Sequence, residues 1–495
     1  MASESEQQQQ QLHFILFPHM AQGHMIPMID IARLLAQNGV IITLITTPIN
    51  ANRFKQTLDR AAESGLRINC IQLEFPAEEA GLPKNCENLD LLTSLGQATD
   101  FACAINELLQ QPAEELLENI KPSPNCIISD ITLYYTSHLA AKFHLPRIVF
   151  TGFSCFSMLC MHRLASSGVL ETVESESEYF SVPGMPDSVE FTKQQLSGAA
   201  IRNPGKLVDE IVAAEKLTYG IIMNSFEELE PEYVQEYTKV RGDKVWCIGP
   251  VSLNNKDNSD LIQRGDNVSI RESDECLKWL DEQQSGSVIY VCFGSICNLV
   301  TLQLIELALG LEASNRPFVW VIRGGEKSVE LEKWMEEERF EERTKGRSLI
   351  IRGWAPQLVI LSHVAIGGFL THCGWNSVLE GISVGVPMIT WPLFLDQFYN
   401  EKLAVDVLKI GVKVGAKESV VWGEEEKIGV VVKREDVGKA IAKVFDVGEE
   451  GEEVRRKVKE LSLKAKRAME EDGSSYLNLK LLIEEIKVLA SIPSM

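Results

Sequence analysis

The sequence predicts an α/β protein built from two doubly wound, parallel-sheet domains. Short apolar or β-branched runs alternate with amphipathic stretches of helical period, the alternation that gives a parallel sheet covered by helices on both faces. The pattern runs once from the start and restarts near residue 287. At 495 residues the chain also exceeds what one hydrophobic core organises.

Taken in order, residues 13–17 are a short apolar run leading into Pro18 and read as a buried strand. A Gly-containing turn follows, then an amphipathic helix over 25–37 that stops at Asn38-Gly39. Residues 40–46 are a β-branched strand and complete a βαβ unit. Residues 126–129 and 147–150 read as later strands of the same sheet. In the second half, 287–293 is a strand, Gly294-Ser295 a turn and 302–313 a helix. Strands at 317–322 and 348–351 follow, then strand 366–370, helix 375–384 and strand 387–391. Between the halves, 252–273 is rich in Asn, Asp and Ser, which predicts a surface linker. The expected division is therefore 1–251, linker 252–273, 274–472, and a terminal segment 473–495 whose stretch 476–489 is amphipathic and helical.

Composition narrows the function. The net charge of -22 repels nucleic acid phosphates. It also means that an anionic substrate needs a positive pocket or a helix N-terminus. Residues 1–11 are polar and Gln-rich, without the pattern of a secretory signal. The most apolar stretch, 148–161, is interrupted by Thr151, Gly152, Ser154 and Ser157 and is too short to span a bilayer, so stable membrane insertion is not expected. Eleven scattered cysteines without a C-x-x-C pair fit reduced thiols in the cytoplasm better than disulfides or zinc. In that compartment the sequon Asn267-Val268-Ser269 is idle. No D-x-D occurs, and no G-x-G-x-x-G follows the first strand of either half. The match of Gly381-Ile382-Ser383-Val384-Gly385 to a hydrolase elbow falls on a helix and reads as coincidence.

Doubly wound sheets bind ligands beyond the carboxyl ends of their strands. His24, Asp130, Thr151, Ser295 and His372 are expected there. The strongest signal is the passage from strand to helix at Leu370-Thr371-His372-Cys373-Gly374-Trp375-Asn376-Ser377. A helix start offers unpaired N–H groups and a positive dipole end to a phosphate. Glu380, one turn beyond Asn376, can chelate two vicinal ribose hydroxyls. Trp354 offers a flat surface to a base, and Asp396 and Gln397 offer polar groups to a sugar. A packed core patch would have no use for so many polar side chains. His24 by itself reads equally well as a helix cap, and Asp130 more simply so. In a parallel sheet both could project into one cleft, where the carboxylate would fix the imidazole tautomer and support the imidazolium as a proton arrives.

The run from Trp354-Ala355-Pro356-Gln357 through His372 to Ser377, Glu380-Gly381 and Trp391-Pro392 to Asp396-Gln397 resembles the signature box of plant secondary-product UDP-glycosyltransferases, the inverting glycosyltransferase family 1. It fills that box without a gap. Gly23-His24 and Trp422-Gly423-Glu424 extend the resemblance over nearly the whole chain. The resemblance implies the GT-B fold: two facing Rossmann-like domains, with the C-terminal helix crossing back to the N-terminal domain. It implies that Trp354 stacks on uracil with Ala355 beside it, and that Gln357 and Glu380 hold the ribose. Ser295, His372, Gly374, Asn376 and Ser377 would surround the diphosphate, and Thr151, Trp375, Asp396 and Gln397 would address the sugar. Gln at the last position is associated with glucose, and His there with galactose. His24 would be the general base, oriented by Asp130, so that an α-linked donor yields a β-glucoside. UDP-glucose would be a co-substrate, with no metal and no further cofactor.

The first half should then hold a small hydrophobic acceptor. Segments 75–88, 150–161 and 179–191 supply Leu82, Phe153, Phe156, Met185 and Phe191, an adaptable apolar set that core packing explains equally well. A triterpenoid or flavonoid is the expected acceptor, with a hormone as a further candidate. The protein is expected to act as a cytoplasmic monomer. The competing readings are a catalytically silent UDP-sugar-binding protein and a transferase using galactose, glucuronic acid or xylose. An oxidoreductase is disfavoured by the missing glycine fingerprint.

Overall fold

The computed structural model describes residues 11–196, 205–242, 244–265, 270–296, 299–324, 326–420 and 422–492. The sequon at Asn267 lies outside them. The first sheet begins with β1 (His13–Phe17), β2 (Ile41–Thr46), β3 (Ile68–Gln72), β4 (Cys126–Asp130) and β5 (Arg147–Thr151). A short antiparallel pair, β6 (Phe180–Ser181) and β7 (Glu190–Phe191), intervenes before β8 (Gly220–Met223) and β9 (Val245–Cys247). The order is β3-β2-β1-β4-β5-β8-β9, with every pairing parallel. Strands β1, β4 and β5 are buried along their whole length, as expected where helices cover both faces. Edge strand β3 is half exposed, and its polar sequence INCIQ carries little strand signal.

The second sheet contains β10 (Val288–Cys292), β11 (Phe318–Ile322), β12 (Ser348–Arg352), β13 (Ile366–Thr371), β14 (Met388–Thr390) and β15 (Gly411–Lys413). Its order is β12-β11-β10-β13-β14-β15, again parallel throughout. Both sheets thus reverse direction at the first strand of their own half, between β1 and β4 and between β10 and β13. Those two switch points are where a doubly wound sheet opens a crevice.

The expected strands and the helix Trp375–Val384 are present, with no end displaced by more than one residue. The first helix, Gln22–Gln37, begins three residues earlier than expected and takes His24 into its first turn. The terminal helix Ser474–Ser491 does return to the first domain. Leu479, Leu482 and Ile486 pack with Phe14, Leu16 and Ile222, and Asn478 Nδ2 donates to the Cys247 carbonyl at 3.2 Å.

The segment expected to be a surface linker is different. Val251–Asn254 forms a 3-10 turn and Asn258–Ile262 a short helix, and Ser252, Asn255, Asp260 and Gln263 are buried. Arg33 and Arg60 both pair with Asp260, and Asn255 Nδ2 donates to Asp30 Oδ1 at 2.8 Å. A polar composition that reads as solvated is here buried by mutual ion pairing. Among the described residues no helix is long and apolar enough to cross a membrane.

Candidate active site

Two loops meet at the crevice between β1 and β4. After β1 the chain turns through Pro18 to Ala21, and Ala21 is the N-cap of Gln22–Gln37, which puts His24 at the third helical position. Asp130 is the last residue of neighbouring β4 and is fully buried. His24 Nδ1 lies 2.6 Å from Asp130 Oδ2. The other carboxylate oxygen accepts from Thr132 N at 3.0 Å and Thr132 Oγ1 at 2.9 Å, so both oxygens are engaged.

Burial of the His24 ring opposes its protonation. The charge and hydrogen bond of Asp130, with Asp396 farther away, outweigh that and hold its pKa above the ordinary histidine value. Burial likewise opposes ionisation of Asp130, but His24, His19 and the Thr132 N–H together bring its pKa down to about 2. With Nδ1–H committed to the carboxylate, Nε2 is the basic nitrogen. The His24 side chain remains 23% exposed and lines the cleft. His19 stacks edge-on at 5.2 Å, and burial lowers its pKa to about 4, so it stays neutral beside the dyad.

Opposite stands the crevice between β10 and β13. The chain leaves β13 at Thr371, and Cys373 takes φ +67, a conformation L-residues rarely adopt. Gly374 caps the helix Trp375–Val384. The turn is tight because the His372 ring is wedged between two glycines. A Cβ on Gly294 would lie 2.6 Å from His372 Nε2, and one on Gly374 2.4 Å from it. Burial, against a hydrogen bond with the Cys292 main chain, lowers the His372 pKa to about 4. The helix N-terminus and this imidazole face a cleft of about 230 Å³.

Deeper in the cleft, Gln357 Nε2 donates to Glu380 Oε2 at 2.8 Å and lies 3.1 Å from Ser377 Oγ. Trp354 lines the wall, with the Arg323 guanidinium 4.7 Å from its ring centroid. Asp396, pushed up to about 6 by burial against the restraint of Asn400, lies on the His24 side, where the two interact electrostatically.

Most residues expected at a donor site do line this one cleft: Ser295, Trp354, Ala355, Gln357, His372 and Gly374, together with Trp375, Asn376, Ser377, Glu380 and Asp396. Their contacts refine the expectation. The Trp375 indole N–H is already donated to the Asn224 carbonyl at 2.8 Å, so this residue offers the cleft its main chain. Asn376 Nδ2 donates across the gap to the Gly23 carbonyl at 2.6 Å.

Two expected sugar contacts lie off the wall. Strand β5 runs one residue longer than expected, which buries Thr151 within it and leaves Gly152 and Phe153 to reach the cleft. Gln397 turns back on its own loop, where its Oε1 accepts from Leu393 N at 2.8 Å and Phe394 N at 3.1 Å.

Of the acceptor candidates, only Phe153 lines the cleft. Phe156 is fully buried with its ring 4.9 Å from Tyr233, and Phe191 is fully buried 5.0 Å from Tyr399. Leu82 packs with Phe17 and Phe101 in the core of the first domain, and Met185 is half-buried against a cluster that spans both domains, its Sδ 3.9 Å from Cys160 Sγ. Core packing claims all four.

Arg264, Arg323 and Gln22 also line the cleft and went unrecognised in the sequence. Arg264 and Gln22 gave no signal because each acts across a domain boundary. Gln22 Nε2 donates to the Gly265 carbonyl at 2.9 Å. Among the described residues no group of three or more His, Cys, Asp and Glu side chains is placed to hold a metal ion.

Comparison with known proteins gives the family. Residues 250–420 match the family model described as UDP-glucoronosyl and UDP-glucosyl transferase. The chain is 53% identical over 493 residues to UDP-glycosyltransferase 73C6 of Arabidopsis thaliana, covering 99% of each. It is 56% identical over 482 residues to UDP-glycosyltransferase 73C3 of the same plant, covering 97% of each. Among solved structures, UGT73P12 of Glycyrrhiza uralensis, complexed with glycyrrhetinic acid 3-O-monoglucuronide, superposes with a TM-score of 0.90 at 39% identity, over 97% of this chain and 96% of that one. UGT2 of Phytolacca americana, complexed with UDP-2fluoro-glucose and pterostilbene, gives 0.74 at 27% identity, over 96% and 99%.

Proposed function

The chain belongs to the UDP-glucoronosyl and UDP-glucosyl transferase family and is a plant-type UDP-sugar glycosyltransferase of the GT-B fold, and from that premise we propose that it moves glucose from UDP-glucose to a hydroxyl of a small hydrophobic acceptor with inversion. The observation that carries this reading is the His24–Asp130 hydrogen bond of 2.6 Å at the mouth of the nucleotide cleft. The acceptor O–H gives its proton to His24 Nε2 as the oxygen attacks the anomeric carbon. The C–O bond to the diphosphate breaks on the opposite face, and UDP departs. Asp130 holds the ring and stabilises the imidazolium.

The leaving diphosphate sits at the N-terminus of Trp375–Val384, where main-chain N–H groups and the helix dipole offset its charge without a metal. His372 lies beside it, and an anion there would draw its pKa back up from about 4. Trp354 receives the base, and Gln357 and Glu380 the ribose. Asp396, across from His24, holds the sugar hydroxyls.

Support for a bulky acceptor comes from the triterpenoid glucuronide bound by the Glycyrrhiza relative and the pterostilbene bound by the Phytolacca one. A triterpenoid or a flat phenolic such as a flavonoid is the proposed class. Because Gln397 faces its own loop, glucose rests on the resemblance, and UDP-galactose and UDP-glucuronic acid are the competing donors. The test incubates purified protein with each donor and a panel of flavonols and triterpenoid alcohols, reading product mass and anomeric configuration. A β-glucoside formed fastest from UDP-glucose is expected. An α-product refutes the mechanism, and UDP release without glycoside, or no turnover at all, refutes transfer.

A further inference from the structure

Glu380, to which the donor-site reading assigns the ribose, is already held from both sides. Gln357 holds Oε2, and the Arg264 guanidinium holds Oε1. Arg264 comes from neither sheet. It lies in the segment joining the two domains, and its other edge reaches Asp30, with Nε at 2.9 Å and Nη2 at 2.8 Å from Oδ2. Asp30 is on the helix Gln22–Gln37 that carries His24. The triad Asp30–Arg264–Glu380 therefore joins the base-bearing helix, the linker and the nucleotide cleft. Its side chains are 3%, 11% and 5% exposed.

The linker is a firm base for that connection. Arg33 and Arg60 pin Asp260, four residues before Arg264, and Gln22 binds the carbonyl of Gly265 just after it. Gly265 has φ +99, and a Cβ there would lie 2.5 Å from the Trp354 ring, so the segment is pressed against the wall that receives the base.

A carboxylate has about four lone-pair sites. Arg264 and Gln357 take one on each oxygen, and the remaining two suit a pair of vicinal hydroxyl donors. Without Arg264, a buried carboxylate loses its cation and its fixed orientation together. We propose that Arg264 is a positioning residue of the donor site, holding the Glu380 carboxylate in the orientation that accepts the ribose hydroxyls and tying that grip to the helix that bears His24. The proposal rests on the ribose assignment of Glu380.

The test is a calorimetric double-mutant cycle on the full chain, with uridine and UDP as separate ligands. Glu380→Gln is expected to weaken both. Arg264→Met is expected to weaken both by a similar factor, about tenfold, and Arg264→Lys, which cannot bridge two carboxylates with a planar fork, by an intermediate factor. In the Glu380→Gln background the Arg264→Met effect should vanish, which a purely structural role would not produce. If Arg264→Met does not fold, Arg264→Lys carries the same cycle. Additive effects, tighter binding, or a loss seen with UDP and not with uridine would each overturn the proposal, the last by making Arg264 a diphosphate contact. If Glu380→Gln leaves uridine binding unchanged, the ribose assignment fails and the proposal falls with it. If Glu380→Gln weakens binding and Arg264→Met does not, only the proposal falls.

Discussion

Replacing Asp130 by Asn probes the dyad more sharply than deleting it, because the structure dictates how the amide must sit. The Oδ1 position accepts from the Thr132 main-chain N–H at 3.0 Å, and that group can only donate. The amide oxygen must therefore take the Oδ1 position, which turns the NH2 toward His24 Nδ1, 2.6 Å from Oδ2 in the native protein. Nδ1 then has to accept, and the imidazole proton moves to Nε2, the nitrogen that should be basic. Loss of one charged hydrogen bond alone removes about 1.5–3 kcal/mol, or about 10- to 150-fold in rate. The wrong tautomer removes general-base catalysis as well, so about 100- to 10,000-fold is expected. The assay is UDP release from UDP-glucose with a weakly acidic phenol across pH. In the native protein Asp130 holds the His24 pKa up, and the rate falls as pH drops through that raised value. Asp130, at about 2, does not titrate in the range. In the Asn variant the imidazole loses that support, so the residual rate should fall only at lower pH. A rate within a few-fold of native, or an acid limb displaced to higher pH, would refute His24 as a base oriented by Asp130.

The remaining predictions use the same preparation. His24→Ala should abolish turnover while UDP affinity measured by calorimetry stays near native, because Trp354, Gln357, His372 and Glu380, to which the reading assigns the nucleotide, all come from the other domain. A parallel loss of affinity would mean that His24 is structural. Gln397→Ala should destabilise the protein by about 1–3 kcal/mol in denaturant unfolding, since two buried N–H groups lose their acceptor. Unchanged stability with an altered donor preference would instead place Gln397 at the sugar. Exhaustive chelation with EDTA should leave the transfer rate unchanged if the helix N-terminus alone offsets the diphosphate charge, and a rate restored by magnesium would show otherwise.

Legibility in the sequence followed burial symmetry. Central strands such as HFILF and CIISD are covered on both faces, so continuous apolar runs announce them, whereas β3 is polar enough to pass for loop. The nucleotide turn was legible because His, Asn, Ser and Glu crowd one strand-to-helix junction. Apolar residues carry no such mark. Phe153 and Phe156 are three apart, yet Ser154 caps the helix between them, so one lines the cleft and the other enters the core against Tyr233. Thr151 turned on a single residue of strand length. Gln397 was placed correctly in the chain, and what the sequence could not convey was that two N–H groups of its own loop would claim its side-chain oxygen.

The linker exposes a deeper limit. Polarity implies solvent only when no partner is available, and here the partners lie 200 or more positions away, at Asp30, Arg33 and Arg60. Their burial has a consequence for the chemistry. His24 and Asp30 are separated by six residues on one helix, a rise of about 9 Å. Whatever fixes Asp30 relative to Glu380 also fixes the imidazole relative to the ribose, and thereby its distance from the anomeric carbon. A loose tether would leave that distance to the flexing of two domains, and a misplacement of about 1 Å can lower a rate 100-fold. A buried triad with every partner engaged opposes that freedom, because separating the domains would break the ion pairs that Arg264 makes with Asp30 and Glu380. On the role proposed for Arg264, the linker helps to set the imidazole against the donor.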